Sequence, residues 1–399
     1  MHKNLKSGSS LPVGFRIDEV DSKKAPQLHA AAVPASVDTA LGPLAAFTGV
    51  WDGKGFNTIF RPNSAKTPTP MPKPVTSTDP KDNVLELNVT SETISFSDPL
   101  GAVPNRGAGS QADIFLNGVP YLQAVNDVTT PGVTIGIHLE PGLWVIVPPT
   151  TTPVEGTTIA RMGSIPHGTT IDAQGTSAPV KLPFNTTNMP KVDITPIIIA
   201  SKTPFRFQSQ TVTNENTLRI PQDLTSFVAA GTITQEMLDD PNSVIRNIAM
   251  KQKITAATAI NISTSPALPL FGGGADNIAF LLGDPNNPPT NPNSQAAIMT
   301  ATFWIETVET TITVPPIQAG EPPLLIQATP VLPGAPAPTF QVAPPVNITV
   351  PTPITVTYTQ IQYSQTVILN FTGLAWPHVS VSTLVPSAPI IVPASAFGH

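Results

Sequence analysis

The chain has 399 residues, with 20 Lys+Arg against 26 Asp+Glu, a formal charge of −6, 48 Pro and no Cys. No basic block follows the first two dozen residues, which argues against nucleic acid as a partner. The lack of Cys excludes disulfides and thiolate metal sites and leaves His, Asp, Glu and Tyr as metal ligands.

Charged residues make up only 12%. Abundant Pro with recurrent Thr, Val and Ile disfavours long helices and favours short strands, so the class is mainly β. Residues 1–43 read as an N-terminal arm. Lys3 and Lys6 have no apolar stretch behind them, and no run approaches the roughly 18–20 apolar residues of a membrane span. A soluble, cytoplasmic protein with no membrane span is therefore expected.

Phe47 to Phe60 reads as a strand whose glycines let neighbouring backbone approach. A Pro/Lys/Thr loop to about residue 82 follows. Val84–Thr90 and Thr93–Ser97 alternate strictly and read as two strands. Ile114 to Leu122 predicts a hairpin turning at Asn117-Gly118.

The run from Gly136 to Val147 predicts a strand pair broken at Pro141-Gly142. Its first half places His138 and Glu140 on one face, because side chains two apart in a strand share a side. Thr157–Ile165 and Thr169–Ala173 form a second predicted hairpin around Pro166-His167-Gly168, and Ile194–Ala200 a further strand.

Thr232 and Gln235 have capping-box spacing, which predicts a helix ending at Pro241, with another turn over Ser243–Ile248. Lys253–Thr264 and Met299–Val314 alternate again around a loop at Phe271–Asp276. Residues 315 to about 353 predict a polyproline-like connector with no packed core of its own, and Ile354–Phe371 with Val379–Leu384 a final hairpin.

Ten or more strands with little helix favour closure into an antiparallel barrel, which removes exposed edges. The expected domains are a barrel over 44–314 with an insertion near 180–245, and a Pro-rich strap with a C-terminal β-hairpin over 315–399 packing on it.

Four segments in this order resemble the nitrobindin-like haem-binding β-barrels, a lipocalin-like family. Gly49-Val-Trp51-Asp-Gly53-Lys-Gly55 resembles that family's opening strand. His138-Leu-Glu140-Pro-Gly142-Leu is similar to its His-x-Glu-x-Gly-aromatic strand, Ser164-Ile-Pro-His167-Gly168 to its His-Pro-x-Gly turn, and Met299–Val308 to its closing strand. The resemblance spans about residues 44–310 and implies a ligand-holding barrel and a haem. The proximal histidine of the family is unmatched, since the corresponding positions near Thr300 and Thr302 are threonines, which are no strong ligands for haem iron.

A haem ligand would then come from elsewhere. His138, Glu140, His167 and His378 are the set that could converge on one cavity. His138, Glu140 and His167 are the candidate catalytic groups, His378 and His138 the candidate metal ligands, and His378, Trp144 and Trp376 the candidate cofactor contacts. Against this stand simpler readings: His167 as a turn residue, Glu140 as an ion-pair partner of Arg161, and the tryptophans as core.

The leading expectation is a haem- or metal-dependent oxidoreductase, of oxygenase or peroxidase type, acting on a small apolar or aromatic substrate. A non-catalytic carrier of a hydrophobic ligand is the second reading and a structural or surface β protein the third. The cofactor is haem, a non-haem metal ion or none, and assembly into a homo-oligomer stays open.

Overall fold

A computed structural model describes residues 41–267, 272–284 and 293–397. Residues 1–40 of the expected arm lie outside these. Ten strands form the body: β1 (Gly49–Pro62), β2 (Asn83–Phe96), β3 (Ile114–Asp127), β4 (Ile135–Val147), β5 (Thr158–Ile165), β6 (Thr169–Pro179), β7 (Lys253–Ser263), β8 (Gln295–Val314), β9 (Thr352–Phe371) and β10 (Leu374–Pro386). Each pairs antiparallel with the next, and β10 returns to β1, so the sheet closes as a lipocalin-like up-and-down barrel.

Closure rests on the β1–β10 seam, where Gly53 pairs with Leu384 and Gly55 with Ser382. A Cβ on Gly55 would overlap the Val381 carbonyl, and one on Gly53 would come within 2.9 Å of Ser382 Oγ. The Gly-Lys-Gly spacing of the first strand is thus what lets the last strand lie against it.

This seam corrects the expected domain layout. The C-terminal hairpin is no appendage on a finished barrel: β9 and β10 are two of its ten staves, and the barrel runs from Gly49 to Pro386. Met299–Val308 accordingly lies within β8, between β7 and β9, and closes nothing.

Several local expectations change as well. Asn117-Gly118 lies inside β3 and Pro141-Gly142 inside β4, while Val84–Ser97 is essentially one strand, because cross-strand pairing on the flanks overrides local turn preference. Of Ile194–Ala200 only Ile197–Ile198 is strand, and Gly274–Asn277 is a short strand on β6 instead of loop.

Three apolar clusters hold the molecule. The first lies inside the barrel: at one end Leu44 and Phe47, from and just after a 3₁₀ turn at Gly42–Ala46, meet Trp51, Phe96, Trp144 and Phe303, and it extends along the wall to Met299 and Val367, the strand partner of His378. The second lies outside the wall, where the insertion between β6 and β7 covers Phe56, Leu87, Trp304 and Val381.

That insertion carries the helices α1 (Thr225–Ala230), α2 (Gln235–Asp239) and α3 (Asn242–Ala249). The cap of α2 is Thr234, whose hydroxyl accepts from the Met237 amide, and not Thr232. In the third cluster Phe340, Val342 and Ile317 of the Pro-rich strap pack on Ile312, Ile354 and Val356. The strap also forms a small sheet from Leu324–Gln327, Thr339–Val342 and Ile390–Ile391. It therefore contributes to a core it shares with the barrel wall.

Candidate functional site

The inward face of each strand carries every second residue. On β4 this places Trp144 at the sealed end, Glu140 in the middle and His138 towards the opposite end. Glu140 has 0% side-chain exposure and His138 20%. Their side chains meet, with His138 Nε2 at 3.2 Å from Glu140 Oε2.

Glu140 Oε1 accepts from Arg161 Nη2 of β5 at 2.8 Å and from the Tyr121 hydroxyl of β3. Arg161 also donates to Tyr121 at 2.9 Å, to Gln123 at 3.2 Å and to Gln365 of β9 at 2.7 Å. Its guanidinium lies 5.4 Å from the ring centres of Tyr121 and Phe303 and 5.6 Å from that of Trp144, within cation–π range.

Burial alone would raise the Glu140 carboxyl, but the Arg161 charge outweighs it, with His138 and Tyr121 adding to the effect, and holds it at about 2. Burial raises the Tyr121 hydroxyl, so it stays a donor. The ion pair is satisfied on every side, as a buried pair must be to persist.

Two glycines make room for it. Gly142 and Gly163 face each other across β4 and β5. A Cβ on Gly163 would overlap the Glu140 carboxylate, and one on Gly142 would meet the Tyr121 ring at 2.5 Å.

Beside this pair Glu92 of β2 accepts from Tyr363 at 2.7 Å and from Gln123 at 3.1 Å. Burial pushes its carboxyl up to about 7; hydrogen bonds from Tyr363, Ser382 and Gln123 and the charge on His138 only partly oppose this.

Towards the open end Asn88, Asn57, Ser380 and Gln365 form one register row across β2, β1, β10 and β9. Asn57 Nδ2 lies 2.8 Å from Ser380 Oγ and 2.7 Å from His378 Nε2. His138, Gln365, His378 and Ser380 all keep partial exposure. Burial, followed by the charges of His138 and His167, pushes the His378 imidazole down to about 3.

The structure thus brings His138 and Glu140 together and sets His378 at the same end of the barrel. His167 is exposed in the β5–β6 turn and reaches this end only through its charge. The tryptophans are not cofactor walls. Trp144 packs between Phe47 and Phe303 at centroid distances of 5.3 and 5.0 Å. Trp376 sits in the insertion-covered cluster, stacked on Phe371 at 4.6 Å and close to Phe60 and Phe207.

These residues do not form a three-ligand metal centre. Among the described residues no group of three His, Asp or Glu could hold a metal ion. The Nε2 lone pair of His378 faces the Asn57 amide, and both oxygens of Glu140 are committed to Arg161, Tyr121 and His138.

Residue patterns alone missed Glu92, Tyr121, Gln123, Tyr363, Gln365 and Asn57. Alternation gives a weak signal for them, because neighbours on the outward face of β9, such as Gln360 and Gln362, are polar and buried too.

No family model and no curated protein matches the chain. The solved structure of Rv2717c from M. tuberculosis is similar over 88% of this chain and 100% of that one, at 10% identity and a TM-score of 0.32. No helix among the described residues is long and apolar enough to cross a membrane.

Proposed function

We propose that the protein binds a small molecule in the barrel and performs no chemistry on it. One feature supports this reading: we read the barrel interior as a cup, sealed by aromatic side chains at one end and carrying polar residues at the other. One end is plugged by Leu44, Phe47 and the aromatic cluster, while the other end carries the inward polar residues His138, Gln365, His378 and Ser380, of which the His138 side chain keeps 20% exposure. A small barrel whose interior is not filled by its own side chains holds one small ligand there.

The exposed lining consists of amide, hydroxyl and imidazole groups. It suits a ligand with hydrogen-bonding groups better than the purely apolar one expected from sequence. Glu140 and Arg161 serve as the rigid floor, and Glu140 orients His138 beside it.

The oxidoreductase reading has one observation in its favour, namely two imidazoles, His138 and His378, at the same end. It requires Asn57 to release His378.

The test is native mass spectrometry of the purified chain, with absorption and metal content measured on the same sample. An adduct that is lost in Ser380→Trp, which fills the cup, supports the binder. A Soret band or stoichiometric metal lost in His378→Ala would replace it with the oxidoreductase. Bare chain mass after incubation with the small-molecule fraction of a cell extract would remove both.

A further inference from the structure

The outer wall of the barrel is covered unequally. Neither the insertion cluster nor the strap cluster includes a side chain of β4, β5 or β6. On this bare side the pairing of β4 with β5 stops at Gly142–Gly163, so that Ile135–Pro141 has no β5 partner.

A groove of about 690 Å³ opens on the outside at this point. Its floor is the outer backbone of the paired Gly142 and Gly163, inward-facing positions flanked by the outward Pro141, Leu143, Met162 and Ser164. Pro141, Leu143 and Met162 give it apolar walls, and Met162 keeps 38% exposure. The far rim is the short strand Gly274–Asn277, paired with β6 so that Gly274 faces Asp172 and Asp276 faces Thr170.

That register puts Asp172 and Asp276 on one face as diagonal neighbours, a separation of roughly 7–8 Å. Both are exposed, and neither is ion-paired with a described residue. Among the described residues no Lys, Arg or His lines the groove. Two like charges at this spacing repel each other, and a cation between them removes the repulsion.

We propose that this groove is a second binding site, separate from the cup, for a flat organic cation. The apolar body would lie on the Gly142–Gly163 floor between Leu143 and Met162, with the positive group between Asp172 and Asp276. Adaptable methionine beside the outward-facing strand backbone suits a planar ring, and the unneutralised carboxylates select the sign of charge.

The probe is 9-aminoacridine, a planar monocation at neutral pH, titrated by fluorescence at low salt against the full chain. Anthracene-9-carboxylate serves as the three-ring anionic control. Saturable binding of the cation at one per chain is expected, with no binding of the anion. Asp172→Asn with Asp276→Asn should weaken it by about tenfold, and Ser164→Trp, at an exposed groove position, should abolish it.

Binding of the anion as tight as that of the cation would overturn the proposal, as would undiminished affinity in the double Asn variant or no saturable binding. Loss of the cation in Ser380→Trp would put the probe in the cup, which sinks the groove proposal and leaves the cup reading standing.

Discussion

Asn57 Nδ2 lies 2.7 Å from Nε2 of His378, across 321 residues of sequence. An amide NH₂ only donates, so this imidazole accepts at Nε2 and is the neutral Nδ1–H tautomer. Ser380 accepts from the same amide group, and Asn88 Nδ2 donates to Asn57 Oδ1 at 3.2 Å, which fixes the orientation of the amide. Geometry and desolvation therefore agree on a neutral ring.

His378 is expected to stay neutral from pH 8 down to about 4, since burial holds it at about 3. Nitrogen-detected NMR of the imidazoles reads this directly. Asn57→Asp, which offers an acceptor to a protonated ring, should bring the His378 titration up into the ordinary range. A wild-type ring that already titrates near 6.5 would contradict the assigned tautomer.

Breaking the buried ion pair should be far more damaging than replacing it. Glu140→Gln leaves Arg161 without its counter-charge and should cost about 3–5 kcal/mol in urea unfolding. The double replacement Glu140→Met with Arg161→Met should recover most of that loss. Equal stability of the single and double variants would show that the pair is not what the floor of the cup depends on.

Stability should fall on both sides of a mildly acidic optimum. The Glu140 carboxyl is held at about 2 against an ordinary 4.5, so the unfolded chain takes up its proton first and stability is lost as pH falls from 4.5 towards 2. His378, depressed from 6.5 to about 3, acts in the same direction between those values.

On the alkaline side Glu306 matters. It is buried on the outer wall with one oxygen bonded to Gln360 and the other unpartnered among the described residues, and burial pushes it up to about 8. The folded chain then holds a proton that the unfolded chain releases above 4.5, so stability falls as pH rises from 4.5 to 8. Glu92 contributes likewise up to about 7. Glu306→Gln should stabilise the protein more at pH 8 than at pH 5, measured by urea midpoint; a gain independent of pH would refute the assignment.

The seam gives a test of the architecture. Gly55→Val puts a side chain into the Val381 carbonyl and should prevent closure, seen as loss of the cooperative unfolding transition. A chain ending at residue 314 should likewise fail to fold, because it lacks two of the ten staves.

How much was legible in sequence follows from the range of each interaction. The mainly β class and the shared face of His138 and Glu140 were readable, because strand alternation has a period of two and is set within a few residues. The glycines of the first strand were visible as places of close approach, although not what approaches them. Arg161 could be named as a partner for Glu140, but Glu92, Tyr121 and Gln365 could not, since their shared network joins four successive strands to β9, where Gln365 lies 204 residues beyond Arg161.

The tertiary structure alone decided that β10 closes on β1, that Trp376 lies under the insertion and that His378 faces Asn57. Each depends on contacts between segments more than a hundred residues apart, and strand register is chosen by the packing of the whole barrel, where a shift of one residue turns every side chain to the other face.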